Sequence, residues 1–254
     1  MSRVRVSVVV PVYKNRATLD ELCRRLRTAL DGAALTPFEI LLIDDACPEG
    51  SSLVARALAA HDPRVRAVSL KSNAGQQRAV MVGLRLARGD WVVTLDADLQ
   101  DPPEAVPGLI AAATPETSAV FGGRRGRYEP ALRLLTSRLF KRTLRLLTGV
   151  PADAGMFVAM RRPLVLRLLQ MPVRRPFVVA MIGASGLDVL SVPVRRDSRP
   201  HGVSAYSARA RLALGLDAVR CALECRWAPR RSPAPPPDYL ALVADPGLEG
   251  DGAS

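Results

Sequence analysis

Apolar positions along this chain switch repeatedly between two rhythms. Val4 to Val10 is a β-branched run ending at Pro11-Val12-Tyr13-Lys14-Asn15, the pattern of a buried strand that runs into a loop. Leu19, Leu22, Cys23, Leu26 and Leu30 then recur at helical spacing. Thr18-x-x-Glu21 ahead of them reads as a capping box, and Gly32 as the stop. Phe38 to Ile43 predicts a second buried strand, ending in Asp44-Asp45, and Ser51 to His61 a second helix. Val65 to Leu70 predicts a third strand, followed by Lys71-Ser72-Asn73-Ala74-Gly75 and a helix from Gln76 to Arg88. Trp91 to Leu95 is a fourth strand, Pro102 to Ala113 a helix and Ala119 to Gly122 a fifth strand. Farther on, Val189 to Val194 predicts another short strand, and Ser207 to Trp227 a last basic helix. Strands alternating with helices predict an α/β fold with a doubly wound, mostly parallel sheet and right-handed crossovers.

Three of these strands end in polar residues: Tyr13 with Asn15, Asp44 with Asp45, and Asp96 with Asp98. In a parallel sheet all three clusters fall on the carboxyl edge, where open α/β folds hold ligands. Asp96-Ala97-Asp98 is the most pointed of them. In extended backbone its carboxylates project to one side, as hard oxygen ligands for Mg²⁺ or Mn²⁺. The same residues also fit a plain polar strand end, with Asp101-Pro102 as a helix cap and first turn. The chain lacks G-x-G-x-x-G and the P-loop, so no glycine-rich turn grips a diphosphate; a metal is the natural substitute.

Composition sharpens the picture. The 254 residues carry a net charge of +12, and only Lys14, Lys71 and Lys141 of the 36 basic residues are lysines. Such a balance suits nucleic acid, a membrane surface or an anionic substrate. Aromatics at 4% and no nucleic-acid motif argue against the first. Cys23, Cys47, Cys221 and Cys225 form no C-x-x-C pair, and Cys221 and Cys225, four apart within a helical pattern, read as reduced spectators. No apolar run reaches the 18 or so residues of a spanning helix, and no signal-peptide pattern opens the chain.

Residues 131–148 form a basic amphipathic pattern. Leu132, Leu135, Leu139, Phe140, Leu144, Leu146 and Leu147 fall on one helical face, with Arg138, Lys141, Arg142 and Arg145 largely opposite. That suits a membrane surface or an acidic partner, or an ordinary surface helix with a solvated arginine face. Asp153 in Asp153-Ala154-Gly155-Met156-Phe157 can serve as a base, a positioning group or a turn former. The basic loop from Arg195 to Tyr206 is fit to fold over a phosphate. From residue 228 the chain is Pro-rich and then acidic, and reads as a disordered tail to residue 254.

Taken together, these pieces resemble inverting family 2 glycosyltransferases of the polyprenyl-phosphate type. The resemblance rests on Val10-Pro11-Val12-Tyr13-Lys14-Asn15, Ile43-Asp44-Asp45, Asn73-Ala74-Gly75-Gln76-Gln77 and, above all, the stretch from Ala87 to Glu104. It implies a GT-A type domain over residues 1–227. Its nucleotide-sugar half would run to about residue 125, and its acceptor- and membrane-facing half from there to 227. By the same resemblance Pro11, Tyr13, Asn15, Ile43 and Asp45 line the nucleoside pocket of a UDP- or GDP-sugar. Asp96, Asp98 and Gln100, with Ala97 between the carboxylates, hold Mg²⁺ or Mn²⁺ against the diphosphate. Arg124 and Arg199 clamp phosphates of donor or acceptor, and Asp153 is the candidate base. The implied enzyme is a hexosyltransferase with a polyprenyl phosphate acceptor, peripheral at the inner face of the membrane, with room for a membrane-protein partner. The chain departs from the family at Asn15 (usually Glu), at Ala46-Cys47 (usually Gly-Ser) and at Ala205 (usually Lys). These departures keep a hydroxyl acceptor, or a non-catalytic nucleotide-sugar-binding protein, as alternatives.

Overall fold

β1 (Val6–Val12) and β2 (Phe38–Asp44) are buried along their whole length, as their largely apolar runs suit strands covered on both faces. They lie in a seven-stranded sheet of order β3-β2-β1-β4-β6-β5-β7, with β3 (Val65–Ser69), β4 (Trp91–Thr94), β5 (Ala119–Arg125), β6 (Val158–Arg161) and β7 (Val189–Arg195) completing it. The computed structural model describes residues 3–125, 142–196, 208–227 and 235–244. β6 runs antiparallel to both its neighbours, while the β1–β2, β1–β4, β2–β3 and β5–β7 pairs are parallel.

Alternation along the strands sorts the core into two layers. Val8, Val10, Ile40, Leu42 and Val93 pack with Leu19, Leu22, Leu26 and Leu30 of α1 (Leu19–Gly32) and with Val106 and Leu109 of α4 (Val106–Ala111). α2 (Ser51–His61) joins this layer through Ala55. Val9, Leu41, Ile43 and Val68 face the other side. There they meet α3 (Gln76–Leu86), a helix at residues 142–148 (α5), α6 (Arg162–Leu169), α7 (Val178–Ala184) and α8 (Ala208–Trp227). Each fully buried Val or Leu stabilises this arrangement by about 1.5–3 kcal/mol. α3 sits so close to β1 that a Cβ on Gly83 would lie 2.2 Å from Val9 Cγ1.

Several local expectations change. β6 is a strand that periodicity did not predict: Val158–Arg161 has only four residues, too few to separate strand from helix. Thr18 makes no side-chain cap bond to α1; its Oγ1 donates instead to Asn15 O at 3.0 Å and Ala97 O at 2.6 Å. Glu21 pairs with Arg24 on the exposed face. Asp101 caps no helix: Arg196 takes both its oxygens, and the chain enters α4 through a 3₁₀ turn at Pro103–Ala105.

Part of the expected tail is docked. Val243 forms an antiparallel bridge with Leu70, Lys71 N donates to Leu242 O and Ala244 N to Ser69 O, both at 2.9 Å. Tyr239 and Val243 are buried. Five consecutive residues, Tyr239-Leu240-Ala241-Leu242-Val243, provide the contact, and the Pro-rich, acidic average of the segment conceals them. They pair with the backbone at the carboxyl end of β3, at Ser69, and with Leu70 and Lys71 just beyond it. Within the described part of the amphipathic segment, Leu144 is buried, but Leu146 is 73% exposed. At 100° per residue Leu146 falls on the side of Arg142 and Arg145, not with Leu144 and Leu147. The rest of that segment lies outside the described residues.

No described helix is long and apolar enough to cross a membrane.

Candidate active site

The carboxyl ends of β1, β2 and β4 meet at one edge, as the parallel pairing dictates. Val12 pairs with Asp44, and Pro11 with Ile43. Asp45, just beyond β2, is 3% exposed. Its Oδ1 accepts from Ala74 N at 2.6 Å and its Oδ2 from Gly75 N at 2.9 Å, while Asn73 Nδ2 donates to its carbonyl at 3.3 Å. Burial raises the Asp45 pKa above the ordinary carboxylate value, and the two amides only partly offset it. Asp44 is shifted the same way, burial first, and its Oδ1 has no hydrogen-bond partner. Tyr13 and Asn15 stand half-buried on the facing loop, with Tyr13 N 3.4 Å from Asn15 Oδ1. Ile43 is fully buried in the core layer under α3, so its side chain supports β2 and only its main chain is placed to line a pocket.

Cys47 joins the two loops. Its Sγ accepts from Lys14 N at 3.2 Å and from Ser51 Oγ at 3.3 Å. Burial opposes the thiolate, but these bonds and the amides of Glu49 and Ser51 outweigh it and leave the thiol below its ordinary pKa.

β4 ends at Thr94, so Asp96 and Asp98 are not on extended backbone: the chain turns at Ala97-Asp98, and Leu99 sits at φ 61. Hydrogen bonds from outside and within the loop hold it. Gln76 Nε2, in the first turn of α3, donates to Asp96 Oδ1 at 2.6 Å. Thr18 Oγ1 holds the carbonyl of the buried Ala97. Asp98, 8% exposed, accepts the amide of Gln100 at 3.1 Å. Arg196 forks onto Asp101 at 2.6 and 2.9 Å. Burial works against the charge on Arg196, yet the Asp101 bonds and the fields of Asp101, Asp96 and Asp98 outweigh it and raise its pKa.

Asp96, Asp98 and Gln100 supply hard oxygens of the kind Mg²⁺ and Mn²⁺ prefer. Among the described residues no group of three or more His, Cys, Asp or Glu side chains gathers to hold a metal. Two carboxylates and a carboxamide would leave the remaining positions of such an ion to phosphate oxygens and water.

Asp153 lies against the β5–β7 pair. Its Oδ2 would lie 2.1 Å from a Cβ on Gly123 of β5, and Ser191 Oγ of β7 would lie 2.5 Å from the same point. Ser191 Oγ is buried without a hydrogen-bond partner. Arg124 pairs with Val194 in the β5–β7 ladder; its side chain, like the whole of Arg199 and Ala205, lies outside the described residues. Gln76 and Arg196 join the site without a sequence signal of their own. Gln76 stood in a motif already noted, whereas nothing in Arg195-Arg196 separates one arginine from the other.

The chain was compared with known proteins. The family model described as glycosyl transferase family 2 matches residues 7–169. A similar curated relative is undecaprenyl-phosphate 4-deoxy-4-formamido-L-arabinose transferase of Pseudomonas fluorescens (strain SBW25), 37% identical over 219 residues. The match covers 85% of this chain and 64% of the relative, so the chain spans less than two thirds of that protein's length. Among solved structures, glucosyl-3-phosphoglycerate synthase of Mycobacterium tuberculosis, in complex with Mn²⁺, UDP and phosphoglyceric acid, is 22% identical with a TM-score of 0.66. That match covers 89% of this chain and 79% of the other. A mannosyltransferase from Pyrobaculum calidifontis, in complex with GDP-Man and Mn²⁺, is 20% identical with a TM-score of 0.59, over 95% of this chain and 79% of the other. These two neighbours share the fold. The family match extends from the second residue of β1 through the last of α6, taking in Asp45, Asp96, Asp98 and Asp153, and by it this chain belongs to glycosyl transferase family 2.

Proposed function

We propose that this chain moves a sugar from a nucleoside-diphosphate sugar onto a polyprenyl phosphate. The observation that carries the reading is the 37% identity with an undecaprenyl-phosphate sugar transferase, and it is supported by a site in which Asp45, Asp96 and Asp98 share one sheet edge. In this reading Asp45, Tyr13 and Asn15, with the main chain at Pro11 and Ile43, receive the nucleoside, uridine or guanosine. Asp96, Asp98 and Gln100 hold Mg²⁺ or Mn²⁺, which when bound neutralises the charge of the departing diphosphate. Arg124 and Arg199 add guanidinium contacts to phosphates of donor or acceptor.

The acceptor attacks the anomeric carbon from the face opposite the leaving group, with inversion. A phosphate acceptor is anionic at neutral pH, so Asp153 then positions the reactants and takes no proton. A hydroxyl acceptor needs a base, and Asp153 is the carboxylate available. The outer face of α5 supports contact with a membrane surface: Leu146 is exposed there beside the exposed Arg142 and Arg145.

The test is a panel of UDP-, GDP- and dTDP-sugars with Mn²⁺ or Mg²⁺, each with and without undecaprenyl phosphate. Metal-dependent release of nucleotide that requires the lipid phosphate supports the reading. Release that ignores the lipid phosphate but responds to a hydroxyl compound moves the acceptor to the alternative. No binding of any nucleotide sugar contradicts both.

A further inference from the structure

Asp101 is 2% exposed, and the Arg196 side chain facing it is 17% exposed. A charged carboxylate that deep is costly unless it is paired. The pair is a two-pronged fork, Nε to Oδ1 at 2.6 Å and Nη2 to Oδ2 at 2.9 Å, between residues 95 apart in sequence. It ties the residue just after β7 to the loop that leaves β4. That loop carries Asp96 and Asp98 and passes through Leu99 at φ 61, a conformation L residues avoid without outside support. The guanidinium also feels the charges of Asp96 and Asp98, yet its fork is spent on Asp101, outside the candidate ligand set.

We infer that Arg196 and Asp101 form a clasp that positions the Asp96–Asp98 loop to receive its ion and diphosphate. Arg196 is a positioning residue: it acts through Asp101 on the loop. This inference deepens the proposed function and rests on its reading of the site as a metal–nucleotide site. Two physical accounts of the pair part company here. If Arg196 merely offset negative charge, removing it would leave the carboxylates more attractive to a cation. If it is a clasp, removing it loosens the loop and weakens cation binding.

The experiment uses the full chain free of metal. Backbone amide exchange is followed at residues 95–101, and Mn²⁺ binding without nucleotide is followed by electron paramagnetic resonance. Arg196→Gln, Arg196→Lys and the double variant Arg196→Gln with Asp101→Asn are compared with wild type. The double variant leaves no unpaired buried charge and so guards against simple unfolding. The clasp predicts exchange at 95–101 faster by about tenfold or more in the double variant, with β1 and β2 still protected, and weaker Mn²⁺ binding in all three variants. Wild-type exchange in the double variant, or tighter Mn²⁺ binding by Arg196→Gln, overturns it. A wild-type chain that takes up no Mn²⁺ defeats the metal reading of the site, and exchange at 95–101 still decides whether the clasp orders the loop.

Discussion

The carboxylate of Asp153 lies over Gly123 so closely that a side chain at 123 would displace it, with 2.1 Å between Oδ2 and the Cβ position. Gly123 is thus a seat for Asp153 on β5. Gly123→Ala must shift the carboxylate, and a displacement of about 1 Å at a reacting centre costs up to about a hundredfold in rate. Turnover is expected to fall between about tenfold and that limit, while nucleotide affinity stays near wild type. Steady-state kinetics beside calorimetric nucleotide titration checks this; unchanged turnover would place Asp153 outside the chemistry.

On the donor side, the bond from Gln76 Nε2 to Asp96 Oδ1 at 2.6 Å fixes one arm of the carboxylate pair. A hydrogen bond to a charged group is worth about 1.5–3 kcal/mol. Gln76→Ala is therefore expected to weaken Mn²⁺–nucleotide binding by about tenfold or more, because a factor of ten corresponds to about 1.4 kcal/mol. The melting temperature should move little, since Gln76 is half-buried at the helix start. Calorimetry and thermal melting on the same preparations separate the two effects.

Much of this was legible from the chain itself. Leu19, Leu22, Cys23, Leu26 and Leu30 are all buried, as their spacing required, and the strand ends bearing Asp44, Asp45 and Asp96 do converge. What escaped was decided by partners remote in sequence. β6 is a strand because β4 and β5 receive it on either side. Thr18 left its expected cap for the carbonyl of Ala97, 79 residues away. Arg196 differs from Arg195 only in what faces it, and Leu146 from Leu147 only in which way the helix is turned. Composition misled at Tyr239-Leu240-Ala241-Leu242-Val243, where five apolar residues outweigh their proline-rich surroundings.

That docked segment makes a truncation informative. Sequence composition alone predicts that removing everything after Arg231 is silent. The structure predicts otherwise, because Tyr239 and Val243 are buried, and Val243 alone contributes about 1.5–3 kcal/mol. The truncated chain should melt several degrees lower and associate through the bared backbone at Ser69–Lys71. Nucleotide affinity should also drop, since Lys71, held by Leu242 and Ala241, opens the loop that supports Asp45. Melting curves and light scattering identical to the full chain's would contradict this.

Acid sensitivity should trace to Asp62. The Arg64 side-chain bonds come first, joined by the Arg64 amide and Arg27, and they hold its pKa well below the ordinary carboxylate range despite burial. A depressed folded-state pKa gives stability that is complete above the unfolded value of about 3.9 and is lost as pH falls below it. Wild-type stability should decline below about pH 4. Asp62→Asn should be less stable at neutral pH and show a shallower acid decline. Denaturant melts between pH 3 and 7 measure both slopes, and parallel curves would remove Asp62 as the cause.

The most direct measurement of the central claim follows labelled sugar from a nucleotide donor into an organic phase containing undecaprenyl phosphate. The account predicts lipid-soluble label with wild type and Mn²⁺ or Mg²⁺, none after chelation, and none with Asp98→Asn despite a native melting curve. Label that reaches the lipid equally well with Asp98→Asn would contradict the metal site. Label that never reaches the lipid while the same preparation glycosylates a hydroxyl compound would contradict the phosphate acceptor.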